Sequence, residues 1–370
     1  MEQTSLFDLF PEEEAVKWRP IKSNDWNWTM AKDYPKEKNG LKVFSCFACG
    51  GGSTMGYKLA GCEVLGCCEI DPKMNEIYVA NHHPQFNFLM DIRDFNNLPN
   101  DEIQPELFNL DILDGSPPCT TFSMVGQRED SWGKKKKFRE GQKEQTLDDL
   151  SFVFIDTVKK LKPKTVIMEN VEGLLLGEAW IYVQRIYQQF SLIGYNLRNY
   201  LLKGENMGVP QKRHRVFFIA VRNDIPFDFD DLNLCFNYEP ITYGEIKSGP
   251  ERIAKGQISD AVKQAKLFES VGDAMWRLYK KKSAFTHRIA REKEVMPTQI
   301  AGHMDMWTEK GNHPSIQDVI HAQTFPIDYN FEGGGYSKVL YVCGMSVPPI
   351  MIKRIVERLI ATGVFNEKRV

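Results

Sequence analysis

The chain has 370 residues and a formal net charge of −2, with 42% hydrophobic and 26% charged residues. That length fits one large domain plus a smaller one. The balanced charge excludes a surface that is basic throughout, so a nucleic-acid partner would have to be met by locally concentrated cations. The N-terminus shows no basic stretch leading into an apolar core, and no apolar run reads as long enough to span a bilayer. The expectation is a cytoplasmic protein whose eight cysteines stay reduced.

Residues 1–40 carry Glu12, Glu13 and Glu14, several tryptophans and no clear period, and read as an arm. From Leu41 strands and helices alternate. Residues 41–47 form an apolar strand that ends in glycines, and 53–60 a short helix. A second strand, 63–68, leads into Glu69, Ile70, Asp71 and Pro72, and a strand at 110–113 runs into Gly115, Ser116, Pro117, Pro118 and Cys119. Leu147, Leu150, Val153, Phe154, Val158 and Leu161 have helical spacing. A buried strand at 165–168 is followed by a helix from about Leu174, and 215–221 is a further strand. Residues 223–300 have a mixed pattern, and 347–361 form an amphipathic helix introduced by Pro348 and Pro349. This alternation predicts an α/β fold: a doubly wound, mainly parallel, Rossmann-like sheet with a smaller second domain. The predicted segments are an arm (1–40), the main domain (41–222), a small second domain (223–325) and a C-terminal segment (326–370) that returns to the main domain.

Phe47, Ala48, Cys49, Gly50, Gly51 and Gly52 follow the first strand and open a helix, as a backbone that approaches a ligand closely requires. Glu69 stands about twenty residues on, at a strand end where an acid hydrogen-bonds ribose hydroxyls, and Asp91 follows the next strand end. Together they suit an adenosine-containing cofactor. No pyrophosphate anchor is evident, which favours S-adenosylmethionine over a nicotinamide dinucleotide. Cys46 and Cys49 have metal-ligand spacing, but buried apolar cysteines are the better reading, and no metal is expected.

In order along residues 41–222 and 290–360 the chain resembles the cytosine C5-methyltransferase family. Phe47-Ala48 with Gly50-Gly51-Gly52 resembles its first motif, Glu69 and Asp91 the next two, and the run from Gly115 to Ser123 its catalytic motif. Glu169-Asn170-Val171 follows a strand as in the family. The run from Asn206 to Arg215 resembles the Gln-x-Arg-x-Arg motif; Gln323 to Pro326 and Gly344 to Pro349 resemble the last two. The resemblance implies that Cys119 attacks C6 of cytosine as a thiolate and so activates C5. It implies that Glu169 donates at N3 and reads the exocyclic amine, protonated when it acts and therefore in an apolar pocket. Arg215 would hold O2. Arg213, two residues away and so on the same strand face, would support the site. Asn170 would shape the turn. The cofactor would be S-adenosylmethionine, with Ile70, Ile92, Pro118, Ser346 and Val347 completing its surroundings.

The partner implied is double-stranded DNA with the target base extruded. The segment from Thr120 to about Gln145 resembles the family's DNA-closing loop. There Ser123, Gln127, Arg128, Lys134, Lys135, Lys136, Lys137 and Arg139 are DNA-contact candidates, the basic run reading otherwise as a solvated loop. Residues 223–325 would recognise the target sequence, with Lys263, Arg277, Lys280, Lys281 and Lys282 as candidates or plain surface. Gln3-Thr4-Ser5-Leu6-Phe7 resembles the short peptide by which bacterial proteins bind the replication sliding clamp; local packing of Leu6, Phe7 and Phe10 competes with that reading. A cognate restriction endonuclease, a monomeric state and a bacterial or phage source complete the expectation.

The chain departs from the family pattern in four places. Ser45-Cys46 stands where Asp-Leu is common, Cys49 replaces a glycine and Met345 an asparagine. The arginine and glutamate usual near Ser315 to Val319 are missing, which puts packing of the second domain in doubt. Three alternatives stay open: an RNA (tRNA) cytosine C5-methyltransferase, a catalytically silent DNA-binding homologue, and a nicotinamide-dependent oxidoreductase that shares only the sheet.

Overall fold

The computed structural model describes residues 20–118, 150–177 and 179–366. Seven strands form one sheet: β1 (Lys42–Cys46), β2 (Glu63–Glu69), β3 (Phe86–Leu89), β4 (Ile112–Gly115), β5 (Thr165–Val171), β6 (Tyr195–Lys203) and β7 (His214–Arg222). Their order is β3-β2-β1-β4-β5-β7-β6. The first five pair in parallel, and β7 runs antiparallel to both β5 and β6. The sequence reading missed β6. Asn196, Arg198 and Asn199 break its apolar pattern, which an edge strand tolerates because only one neighbour covers it.

Side chains alternate across the sheet with period two. Val43, Ile112, Ile167 and Ile219 face one layer of core. Phe44, Leu113, Val166 and Phe218 face the other. Besides single helical turns at Met30–Asp33 and Tyr243–Ile246, the helices are α1 (Gly52–Leu59), α2 (Pro72–His82), α3 (Ile92–Asn97), α4 (Leu150–Leu161), α5 (Ala179–Leu192), α6 (Gln257–Lys263), α7 (Val271–Tyr279), α8 (Ile316–Ala322), α9 (Tyr336–Met345) and α10 (Pro349–Ala361). The helix expected from about Leu174 begins only at Ala179. A 3-10 turn, Glu172–Leu175, comes first, and Gly177 at φ 62° interrupts the path.

From β1 the chain steps outward to β2 and β3, then crosses back to β4 on the other side of β1. The crevice of such a sheet opens where that order reverses, at the carboxyl ends of β1 and β4. Residues after the N-terminal nineteen are packed on this body. Trp28 is buried, and its Nε1 donates to Thr324 O at 2.9 Å. Trp26 meets His321 edge-on at 4.9 Å. Between β7 and α8, β8 (Arg288–Ala290) and β9 (Met306–Thr308) form a parallel pair, with α6 and α7 beside their own small cores. The segment Tyr336–Ala361 holds a window that would pass for a membrane span by length and mean hydropathy (1.5) alone. Yet 72% of that apolar window is buried within the fold, as α9 and α10.

Candidate active site

At the mouth of the crevice the loop after β1 bends sharply. Phe47 (φ 56°) and Cys49 (φ 47°) adopt left-handed conformations that cost a side-chain-bearing residue of order 1–2 kcal/mol each. Glu69, at the end of β2, holds the bend: Oε2 accepts from Cys49 N and Oε1 from Asp71 N, both at 2.8 Å. Burial pushes the Glu69 carboxyl up, and burial together with Glu69 pushes the Cys49 thiol to about 12.

The glycines of the loop serve packing against the protein's own chain. A Cβ on Gly50 would lie 2.6 Å from Val342 Cγ1, on Gly51 2.1 Å from His82 Nε2, and on Gly52 2.3 Å from Val347 O. Tyr329 Oη donates to Gly50 O, and His82 Nε2 lies 3.3 Å from the same carbonyl. Ser346 and Val347 thus come against the glycine loop. Ser346 Oγ is buried with no hydrogen-bond partner among the described residues. A buried hydroxyl and a buried carboxyl beside a glycine loop are polar groups of the kind an adenosine-type cofactor requires.

The other expected cofactor residues divide. Phe47 packs on Phe154 at 6.4 Å, Ala48 is buried with Cys67 and Tyr78, and Ile70 and Pro118 are half-buried. The Ile92 side chain sits in the core with Phe95. Asp91 caps α3 by accepting from Arg93 N at 2.9 Å and pairs with that arginine's Nη1 at 3.3 Å.

On the catalytic side the strands bring Glu169 and Arg215 together. In the β5–β7 ladder Glu169 stands opposite Phe217 and Arg215 opposite Val171, so the pair is diagonal; Arg215 Nε meets Glu169 Oε1 at 2.7 Å. The apolar pocket expected around Glu169 is therefore corrected: its neighbour is a guanidinium, the side chains being 12% and 15% exposed. Arg213 stands two residues before Arg215 and feels its charge. It precedes β7, is fully buried, and its Nη2 donates to Gly344 O at 2.9 Å, with Gln299 O 3.5 Å from Nη1. Burial and the Arg215 charge push its guanidinium well below the usual range. Asn170 Nδ2 donates to Pro117 O at 3.3 Å, tying the end of β5 to the Pro-Pro turn.

The sequence reading gave no individual role to four buried residues, although Gln211 and Gln323 lie in the runs that resemble family motifs. Gln211 Nε2 donates to Gln323 Oε1 at 3.1 Å, and Gln323 Nε2 to Ser346 O at 2.7 Å, which fastens the C-terminal segment beneath the site. Asp114 lies under the crevice, accepting from Ser45 Oγ at 2.6 Å and Tyr57 Oη at 3.0 Å. Asp318 accepts from Tyr243 Oη and Ser248 N, both at 2.9 Å, and so joins α8 to the segment around residues 243–248 without the missing arginine and glutamate. An acid within an otherwise apolar run was the only signal available for Asp114.

Among the recognition candidates, Arg277 is held by Glu269 at 2.8 Å and Lys281 by Gln257 at 2.7 Å; Lys263 is 3.8 Å from Asp260, Lys280 lies 5.8 Å over Trp276, and Lys282 is exposed. Cys119, Ser123, Gln127, Arg128, Lys134 to Lys137, Arg139 and the Gln3 to Phe7 segment lie outside the described residues.

Solved structures share this architecture. A Spodoptera frugiperda DNMT2 variant superposes with a TM-score of 0.60 at 15% identity, over 87% of this chain and 100% of that one. The Entamoeba histolytica methyltransferase EhMeth gives 0.59 at 12% identity, over 88% and 99%. The fold is thus that of the C5 methyltransferases, an α/β sheet of the S-adenosylmethionine-dependent type. The family model for C-5 cytosine-specific DNA methylase matches residues 41–361, and the chain belongs to that family. Among sequence relatives, the type II methyltransferase M.HindV of Haemophilus influenzae is 32% identical over 184 residues, 50% of this chain and 54% of that protein. M.Sau96I of Staphylococcus aureus is 26% identical over 353 residues, 88% of this chain and 77% of that protein. The chain spans about half the length of several curated relatives that it matches.

Proposed function

We propose that the chain methylates C5 of cytosine in double-stranded DNA, with S-adenosylmethionine as donor and a covalent bond between Cys119 and C6. What supports this reading is the meeting of Glu169 and Arg215 at the carboxyl end of the sheet, with Asn170 holding the turn that leads into Cys119. The target base would leave the duplex, losing a few kcal/mol of stacking and pairing. On its entry, contacts to the base would replace the Glu169–Arg215 pair: Arg215 to O2, Glu169 as donor at N3. The thiolate adds to C6, and the ring electrons shift towards C5 while Glu169 neutralises N3. When bound, the cofactor supplies the electrophilic methyl group. Loss of the C5 proton to solvent, return of the N3 proton to Glu169 and expulsion of the thiolate then restore the ring.

Glu69, the glycine loop and Ser346 would hold the cofactor. The basic run Lys134 to Lys137 with Arg139 would contact phosphates, residues 223–325 would choose the site, and Gln3 to Phe7 would engage a sliding clamp. Methyl transfer from tritiated S-adenosylmethionine should appear on duplex DNA and not on tRNA, and Cys119→Ser should abolish it. Normal turnover by that variant would sink the covalent mechanism, and labelling of tRNA alone would move the substrate to RNA. A duplex with 5-fluorocytosine should trap an adduct on Cys119.

A further inference from the structure

One strand position breaks the family's pattern close to the cofactor: Ser45 stands where an acid is common. The acid is not lost from the fold. Ser45 and Asp114 are direct partners in the β1–β4 ladder. Partners in a parallel pair project to the same face, so an acid on either strand reaches the same volume. Asp114 fills it. Its Oδ2 accepts from Ser45 Oγ at 2.6 Å and its Oδ1 from Tyr57 Oη at 3.0 Å, and all three residues are at most 2% exposed.

The location is specific. β1 and β4 are the two strands between which the chain order reverses, so this carboxyl lies directly under the crevice. One residue beyond the Ser45–Asp114 pair, Cys46 stands opposite Gly115. There the strands part, one into the glycine loop and the other into the Pro-Pro turn. Tyr57 adds the third element, α1, whose first turn follows the glycine loop. A buried carboxyl costs several kcal/mol unless donors compensate it, so a group kept here with two short hydrogen bonds fixes three elements at once. Burial pushes it up to about 7, with Ser45 and Tyr57 pulling the other way.

We infer that Asp114 is the positioning residue of the methyl-donor crevice: from β4 it supplies the carboxyl that an acid at position 45 would supply from β1. The inference rests on reading the 47–52 loop as the cofactor loop. The carboxyl touches no reacting atom; it sets the separation of the glycine loop from the Pro-Pro turn.

The test is an exchange of the two side chains in the full chain. S-adenosylmethionine binding is measured by calorimetry, duplex-DNA binding by fluorescence anisotropy, and folding by thermal melts. Asp114→Ser should weaken S-adenosylmethionine binding by about tenfold or more and leave DNA affinity within about threefold. The double variant Ser45→Asp with Asp114→Ser should recover most of that loss, whereas Ser45→Asp alone, which crowds two acids, should be impaired. If Asp114→Ser does not fold, the double variant must still fold and bind. Unchanged cofactor affinity in Asp114→Ser, an equal loss of DNA affinity, or a double variant that folds but binds no better than Asp114→Ser each overturns the inference. A wild-type chain that binds no S-adenosylmethionine defeats instead the functional reading on which it rests.

Discussion

Arg215 and Glu169 face each other at 2.7 Å with about an eighth of each side chain exposed, so each compensates the other's loss of water. Removing one leaves the other largely buried without its partner. Arg215→Ala should therefore lower kcat/KM for DNA by about a hundredfold or more, as loss of one pre-organised donor does. S-adenosylmethionine affinity, read by calorimetry, should stay near that of the wild type.

His82 behaves differently. It is buried against the glycine loop, and burial, with the Lys58 charge second, depresses its imidazole to about 3. The folded protein keeps it neutral while the unfolded chain takes up a proton below about 6.5. The sign follows: stability is fully present above that value and falls as pH drops from about 6.5 towards 3, by roughly 5 kcal/mol at most. Urea titrations between pH 8 and 5 should show a shallower acid slope for His82→Gln than for the wild type. Identical slopes would rule this account out.

Among the elements, α4 is held to β4 by one glycine. A Cβ on Gly115 would meet Phe154 Cε2 at 2.3 Å, and Phe154 is completely buried. Gly115→Ala should destabilise by about 1–3 kcal/mol through overpacking, visible as a lower urea midpoint with an unchanged slope. It should also lower activity, because β4 leads directly into the Pro-Pro turn. The alternation of β1, β2, β4, β5 and β7 with helices was legible in the sequence because strands covered on both faces are apolar throughout. β6 was not, because its edge position allows polar residues, and α5 started late because Gly177 takes a positive φ that no periodicity announces.

At the scale of the molecule, Asp318 ties α8 to the chain around Tyr243 and Ser248; it is fully buried and receives hydrogen bonds from Tyr243, Ser248 and Ser315. Asp318→Ala strands those donors, and stability should drop by about 3 kcal/mol. Thermal melts would read the loss, and cleavage between residues 240 and 315 by a protease should speed up. A melt within about 1 °C of the wild type would contradict this role.

The local signals fixed by covalent spacing, namely the glycine loop, the Pro-Pro-Cys run, the acid after β2 and Glu169-Asn170-Val171, determined the family, the sheet and most of the candidate site. They could do so because each depends on residues close in the chain. What only the tertiary structure decided are pairings between strands far apart in sequence. Arg213 and Arg215, two residues apart, take different partners, Gly344 O and Glu169. The acid absent at position 45 reappears at 114, because hydrogen-bond register, which no single strand encodes, sets those two side chains on one face of the sheet.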